Sequence, residues 1–255
     1  KSKVAIEKMQ LRISKMELLF DSSKITGAIV AAIRKRPSLG VSINLDNINL
    51  DAYFPKNIRA TNKFREDSGR TNLNQPPDER ANKKSKKIHG LLSTLAILDQ
   101  FDANIKIFAQ QVVLQQENIR NIFFDGMLHN GNLVIRDIKF KDFAGIKGKA
   151  KGILENLVDI PRVKNFTFSA KVPSTSKIYK YLGKKLPNHV PKVKNISFKT
   201  VANGTIRRLH MESELSSGSL NIKLDGHLGF LNGVNAGDIS IKFHHSSFQK
   251  MLHLF

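Results

Sequence analysis

Lysine is the side chain in this sequence whose spacing is most regular. Lys139 and Lys141 flank Phe140, and Lys147, Lys149 and Lys151 alternate with Gly148 and Ala150. An ammonium at every second position lies on one side of a strand, while its neighbours lie on the other. Such a row attracts anions and makes no bonds by itself. The whole chain repeats the bias: 42 Lys+Arg stand against 21 Asp+Glu, a formal charge of +21. A surplus of that size draws nucleic acid, anionic lipid head groups or an acidic protein. A merely solvated, Lys- and Asn-rich surface would give the same count.

Groups for catalysis are missing or badly placed. With no Cys among the 255 residues, disulfides, zinc-thiolate sites and thiol nucleophiles are excluded together. No G-x-S-x-G, phosphate-cradling Gly loop or H-E-x-x-H occurs. The eight His are scattered, and the adjacent pair His244-His245 would point to opposite faces of a strand. No two carboxylates have a spacing suited to acid–base work. The triplets starting at Asn165, Asn195 and Asn203 match a glycosylation signal and read as chance in an Asn-rich chain. The expectation is a protein without enzymatic activity, cofactor or metal. Nucleic acid is not an expected partner either. There is no helix-turn-helix, no zinc ligand set and no aromatic–Gly–aromatic strand, and the Phe residues fall on the apolar phase.

What must position the lysines is a set of strands. Met16, Leu18 and Phe20 alternate with polar neighbours, Asp21 to Lys24 turn, and Ile25–Arg34 reads as a strand despite its Ala content. Val41, Ile43 and Leu45 alternate, then the phase slips at Asp46-Asn47 before Ile48 and Leu50, which reads as a bulge or tight turn. Residues 56–90 carry few apolar side chains and the run Lys83-Lys84-Ser85-Lys86-Lys87. They read as a disordered basic loop. A short helix or turn follows at Leu91–Leu98, then strands over Asp102–Val113 and Asn118–Leu128. Asn130-Gly131, Asn203-Gly204 and Asn232-Gly233 are hairpin signals, because both residue types tolerate positive φ. Ser216–Ser219 is a further turn. Strands at hairpin distance with almost no crossover helices predict a mainly β, antiparallel meander.

One unit occurs twice. Phe166, Phe168, Ala170 and Val172 alternate with polar residues, and Ile178, Tyr181 and Leu182 follow at helical spacing. Ile239, Ile241 and Phe243 repeat the strand at a lag of 71, and Phe248, Met251 and Leu252 repeat the helix at 70. Recurrence of this kind means a sheet that grows by addition.

A sheet patterned in this way has one apolar and one charged face, and the apolar face needs a cover. Either a second sheet closes over it, or the sheet curls and its concave side holds something apolar. The candidates for that side are Ile105, Ile107, Leu133, Ile135, Phe166, Phe168, Leu209, Met211, Leu220, Ile222, Leu224, Ile239 and Ile241. For each of them an ordinary core position is the competing reading.

Three stretches carry a resemblance. Leu45-Asp-Asn-Ile-Asn-Leu50-Asp-Ala-Tyr-Phe54 looks like a strand-ending "LDLDAYL". Leu98–Phe143 contains Phe101-Asp-Ala-Asn-Ile105 and Asn130-Gly-Asn-Leu133, ahead of Phe143-Ala-Gly-Ile146-Lys-Gly148. Ile178-Tyr-Lys-Tyr-Leu182-Gly-Lys-Lys-Leu-Pro187 precedes Gly204-Thr205 and the closing strands. Together these resemble the AsmA-like proteins of Gram-negative envelopes, relatives of TamB and of the bridge-like lipid-transfer proteins. The chain departs from that pattern at Gly145-Ile146, where the family often has Gly-Gly, and in its high basic charge.

The resemblance implies a long twisted sheet curled into a groove, an open β-taco. It implies a periplasmic body anchored to the inner membrane by an N-terminal transmembrane helix that this chain lacks. It also implies phospholipid acyl chains as partners, in transport between inner and outer membranes. On this reading residues 1–55 and 91–255 are two parts of one groove, separated by the loop 56–90. The longest apolar run near the start, Ile25–Ile33, is too short to span a bilayer. No cleavable signal is visible, and a start at Lys1 suggests a fragment. The competing expectation is an outer-membrane assembly factor with a closed core, its basic face docked on an envelope protein.

Overall fold

A computed structural model describes residues 1–52 except 8 and 22, then 96–229 except 115–116, 144, 182–185, 188–189, 191 and 206, and finally 236–245. The predicted loop 56–90, the turn at Asn232-Gly233 and the second helical half-repeat lie outside the described residues.

Thirteen strands form one sheet, in chain order from first to last. They are β1 Lys3–Glu7, β2 Gln10–Phe20, β3 Ser23–Ala32, β4 Ser38–Asn49, β5 Asp102–Leu114, β6 Glu117–His129 and β7 Asn132–Phe143. They continue as β8 Ile146–Glu155, β9 Arg162–Ser174, β10 Lys194–Thr205, β11 Arg208–Ser217, β12 Leu220–Gly229 and β13 Ala236–His245. The sheet is open: β1 and β13 do not pair, so no barrel closes. Among the described residues helix is confined to Thr175–Tyr181 and the short 3₁₀ turns Leu50–Ala52 and Ala96–Asp99. No described helix is long and apolar enough to cross a membrane.

The expected meander needs one correction. Strands β4 and β5 pair in parallel, with Val41 beside Ile105 and Ile43 beside Ile107. Parallel neighbours need a long return segment, and residues 50–101 supply it. Arg36 fixes the start of this pairing: Nε donates to Asp102 Oδ1 at 2.7 Å and Nη1 to the Asp99 carbonyl at 2.6 Å. Every other ladder is antiparallel.

Alternation decides which residues face together, and irregularities repair it where it slips. The apolar positions Ile135 and Ile138 are three apart, and the β7–β8 register shifts between them. The same happens between Ile13 and Met16, where Lys15 adopts φ 49°. An extra residue absorbed in a bulge keeps the apolar phase on its own side. At Asp46-Asn47 the strand continues with no register shift. Leu45 pairs with Ala109 and Asn47 with Gln111, and β5 changes phase at the same place, from Ala109 to the buried Val112.

Asn130 and Gly131 adopt φ 48° and 66° and turn the β6–β7 hairpin as expected. Asn203-Gly204 does not turn the chain. Strand β10 runs on to Thr205, and Thr205 pairs with Arg208. The Asn203 carboxamide oxygen instead accepts the Asn165 amide at 2.7 Å. Gly204 leaves room for the neighbouring strand, since a Cβ there would lie 2.3 Å from the Arg208 carbonyl oxygen.

Candidate binding faces of the sheet

Paired residues in a ladder point to the same side, so the face of one residue can be carried from strand to strand. Ile105 and Ile107 pair with Val41 and Ile43 on one side and with Gly126 and Phe124 on the other. Gly126 leads to Ile135, and Leu128 to Leu133. Ile138 and Phe140 then sit beside Ala150 and Gly148, which face Phe168 and Ala170. Phe166 and Phe168 pair with Ala202 and Thr200, and these with Met211 and Ser213. Leu209, Met211, Ser213 and Leu215 lie beside Leu228, Gly226, Leu224 and Ile222, with Leu220 next along β12. Finally Ile222 meets Phe243, Leu224 meets Ile241, and Gly226 meets Ile239. All thirteen residues proposed from the sequence therefore lie on one face, and that face is apolar from β1 to β13.

Burial is concentrated on this side. Ala103, Leu128, Ile135, Ala170, Val172, Ile196 and Ala202 are all buried, although no second sheet lies over them among the described residues. Side chains paired across neighbouring strands pack on one another along this face and so shield each other from water. At the margins the shielding fails: Ile239, Ile241 and Phe243 are 51%, 51% and 63% exposed. The helix Thr175–Tyr181 covers one end of the face, where Ile178 packs on Ala170, Val172 and Ile196.

The face makes almost no polar demands. Its buried hydroxyls Thr200 and Ser213 satisfy each other, with Ser213 Oγ donating to Thr200 Oγ1 at 2.8 Å. Among the described residues no buried side-chain nitrogen or oxygen lacks a partner. The surface therefore offers shape and apolarity and no specific polar anchor.

The opposite face carries the charge. Lys139, Lys141, Lys147, Lys149 and Lys151 all fall on it, as their spacing predicts. Register puts Lys139 directly opposite Lys149, and Lys147 opposite Lys171. Between β5 and β10 this face sinks into a cleft of about 660 Å³, walled by Lys139, Lys141, Lys147, Lys149, Lys171 and Lys199. Lys151 stands outside it. Phe108 and Phe123, a register pair, lie in the cleft with Asn121, Ser169 and Ser197. The Lys139 ammonium sits 5.9 Å above the Phe123 ring. These two rings depart from the expectation that the Phe residues follow the apolar phase. Phe108 follows Ile107 and Phe123 precedes Phe124, and two consecutive apolar residues leave alternation unable to say which one faces outward.

Toward the C-terminus the same face is mixed in sign. Lys199 pairs with Glu214, Glu214 with Lys223, and Glu212 with Asp225. His210 Nε2 donates a hydrogen bond to Asp225 Oδ1, 2.9 Å away, and its ring lies tilted against His227 with centroids 4.8 Å apart. His244 and His245 lie in β13 and pair with Asn221 and Leu220, hence on opposite faces as expected. Among the described residues no three His, Asp or Glu are grouped to hold a metal.

Comparison with protein-family models, with curated proteins and with solved structures returns no match.

Proposed function

We propose that this chain is a lipid-binding module whose apolar sheet face is a trough for phospholipid acyl chains, with no covalent chemistry of its own. One observation carries the reading: a continuous apolar face across thirteen strands has no second layer over it among the described residues. Proteins in water do not leave so large an apolar surface uncovered. An acyl chain laid on such a face gains roughly 0.8 kcal/mol for each CH₂ it buries. Ten methylenes therefore hold a chain without any hydrogen bond, while head groups stay wet at the open margins. A face that lacks unsatisfied donors and acceptors suits a ligand that has none.

The resemblance to AsmA-like proteins supplies the setting of the proposal. There the trough would lie in the periplasm, in a protein anchored to the inner membrane, and would carry or shelter phospholipid on its way between the two membranes.

Native mass spectrometry of protein purified from cells without detergent tests the proposal. Copurified phospholipid is expected on the wild type. Ile222→Asp with Ile241→Asp places two carboxylates on the apolar face at its β12–β13 end and is expected to abolish the lipid peaks while leaving the β content seen by circular dichroism intact. A wild type that is free of lipid under gentle conditions, and that stays free after incubation with phospholipid vesicles, would overturn it.

A further inference from the structure

The lysine-walled cleft on the polar face plays no part in holding acyl chains, and its construction calls for a separate account. Side chains directly opposite in an antiparallel ladder have Cβ atoms about 5 Å apart, and like charges placed so repel. The cleft has two such pairs, Lys139–Lys149 and Lys147–Lys171. Among the described residues no salt bridge engages Lys147, Lys149, Lys171 or Lys199; Lys139 is ion-paired with Asp137, and Lys199 stands across the ladder from Glu214. Like charges also stand opposite each other at Lys223–Lys242 and at Glu212–Asp225, but the concavity there mixes lysines with Glu212, Glu214 and Asp225. From Lys199, at the edge of the cleft, the sign alternates across the next two strands through Glu214 and Lys223. What sets the cleft apart is that six lysines and no carboxylate line one concavity of about 660 Å³, a size typical of pockets for small ligands. Beside the charges lie two aromatic side chains, Phe108 and Phe123.

We propose that this cleft is a binding site for a phosphorylated amphiphile, one that bears at least two negative charges beside an apolar portion. Phosphate oxygens accept charge-assisted hydrogen bonds from Lys147, Lys149 and Lys171 and cancel the repulsion among them. The apolar portion lies on Phe108 and Phe123, with the methylene stems of Lys139 and Lys141 completing its walls. A phosphatidate-type headgroup and a free phosphorylated metabolite share this chemistry, and the experiment separates them.

Calorimetric titrations at low ionic strength use three probes: dihexanoyl phosphatidate, dihexanoyl phosphatidylcholine and inorganic pyrophosphate. The site should bind phosphatidate and pyrophosphate, and bind phosphatidylcholine far more weakly. Lys147→Ala with Lys149→Ala and Lys171→Ala should weaken both anions by about tenfold or more, since each charge-assisted contact is a large share of the affinity. Phe123→Ser should weaken phosphatidate and leave pyrophosphate unchanged. Equal affinity for both anions, untouched by Phe123→Ser, would overturn the apolar half and make the ligand a free phosphate compound. No binding of pyrophosphate, or binding that ignores the triple substitution, would overturn the site. Pyrophosphate cannot use the apolar face, so Ile222→Asp with Ile241→Asp should leave its affinity unchanged. The cleft and the acyl-chain trough can thus fail independently.

Discussion

Lys139 of β7 and Lys149 of β8 stand opposite each other on the polar side of the sheet, while Ile138 and Ala150, one residue away on each strand, face each other on the apolar side. The two faces of this sheet thus ask for opposite partners within one step of the chain. That contrast makes each face open to testing by substitutions that leave the other alone.

Replacing one member of the like-charged pair should stabilise the unliganded protein. Lys149→Glu turns repulsion with Lys139 into attraction, a gain of about 0.2–1 kcal/mol by the usual worth of cross-strand pairs. The thermal midpoint should rise in low salt and return toward wild type at 0.5 M salt, where exposed charges are screened. The added stability that pyrophosphate confers on the wild type should be smaller in this variant. An unchanged midpoint in low salt would mean that the two ammonium groups diverge into solvent.

Strand-to-strand contact at Gly226 leaves no space for a side chain. A Cβ there would lie 1.9 Å from the Asp238 carbonyl oxygen, which is backbone and cannot swing away. Gly226→Ala should therefore cost about 1–3 kcal/mol and loosen β13, the edge strand that bears Ile239 and Ile241. Gly40 is the control. Its added Cβ meets only ordinary contacts, near 3.9 Å from the Val30 carbonyl oxygen, and Gly40→Ala should shift stability by no more than about 0.5 kcal/mol. Urea denaturation of both variants checks the contrast, and equal effects would contradict it.

The hydroxyl pair on the apolar face is a third test. Ser213→Ala leaves the buried Thr200 hydroxyl without its 2.8 Å partner, which should cost about 1–3 kcal/mol. Adding Thr200→Val removes the orphan, and the double variant should be more stable than Ser213→Ala alone. A simple sum of the two single effects would show that the hydroxyls reach water instead of each other.

Acid should weaken the β4–β5 junction. The Arg36 hydrogen bond first, then His129, hold the Asp102 carboxyl below its ordinary value of 3.8. A carboxyl depressed in the folded state adds stability at pH values above its unfolded pKa, and that stability is lost as pH falls through the folded value. The stability difference between wild type and Asp102→Asn should therefore be full at pH 5 to 7, begin to shrink near pH 3.8, and vanish only below the depressed folded value. A difference that persists unchanged at pH 3 would contradict this.

Much of the fold was legible because period-two alternation states which residues share a face. All thirteen apolar candidates and all five lysines land where that period puts them. Alternation is silent on pairing direction. Nothing in Val41–Leu45 or Ala103–Ala109 tells a parallel neighbour from an antiparallel one, and the long segment between them is the only hint. The turn expected at Asn203-Gly204 failed for a physical reason. Asn and Gly are also the residues a strand uses for a side-chain-to-backbone bond and a close backbone approach, as they do here with Asn165 and Arg208. The cleft escaped notice because Lys171 and Lys199 belong to β9 and β10, distant in sequence from the lysine row. Only the ladder brings them beside it.

The most direct test of the acyl-chain trough uses two neighbours on β12, Leu224 on the apolar face and Lys223 on the polar one. Each is replaced in turn by a photo-crosslinking amino acid, and the proteins are irradiated in cells fed radiolabelled phosphate. The account predicts radiolabelled phospholipid attached at position 224 and little or none at 223. Equal labelling at the two positions, or labelling at 223 alone, would contradict it.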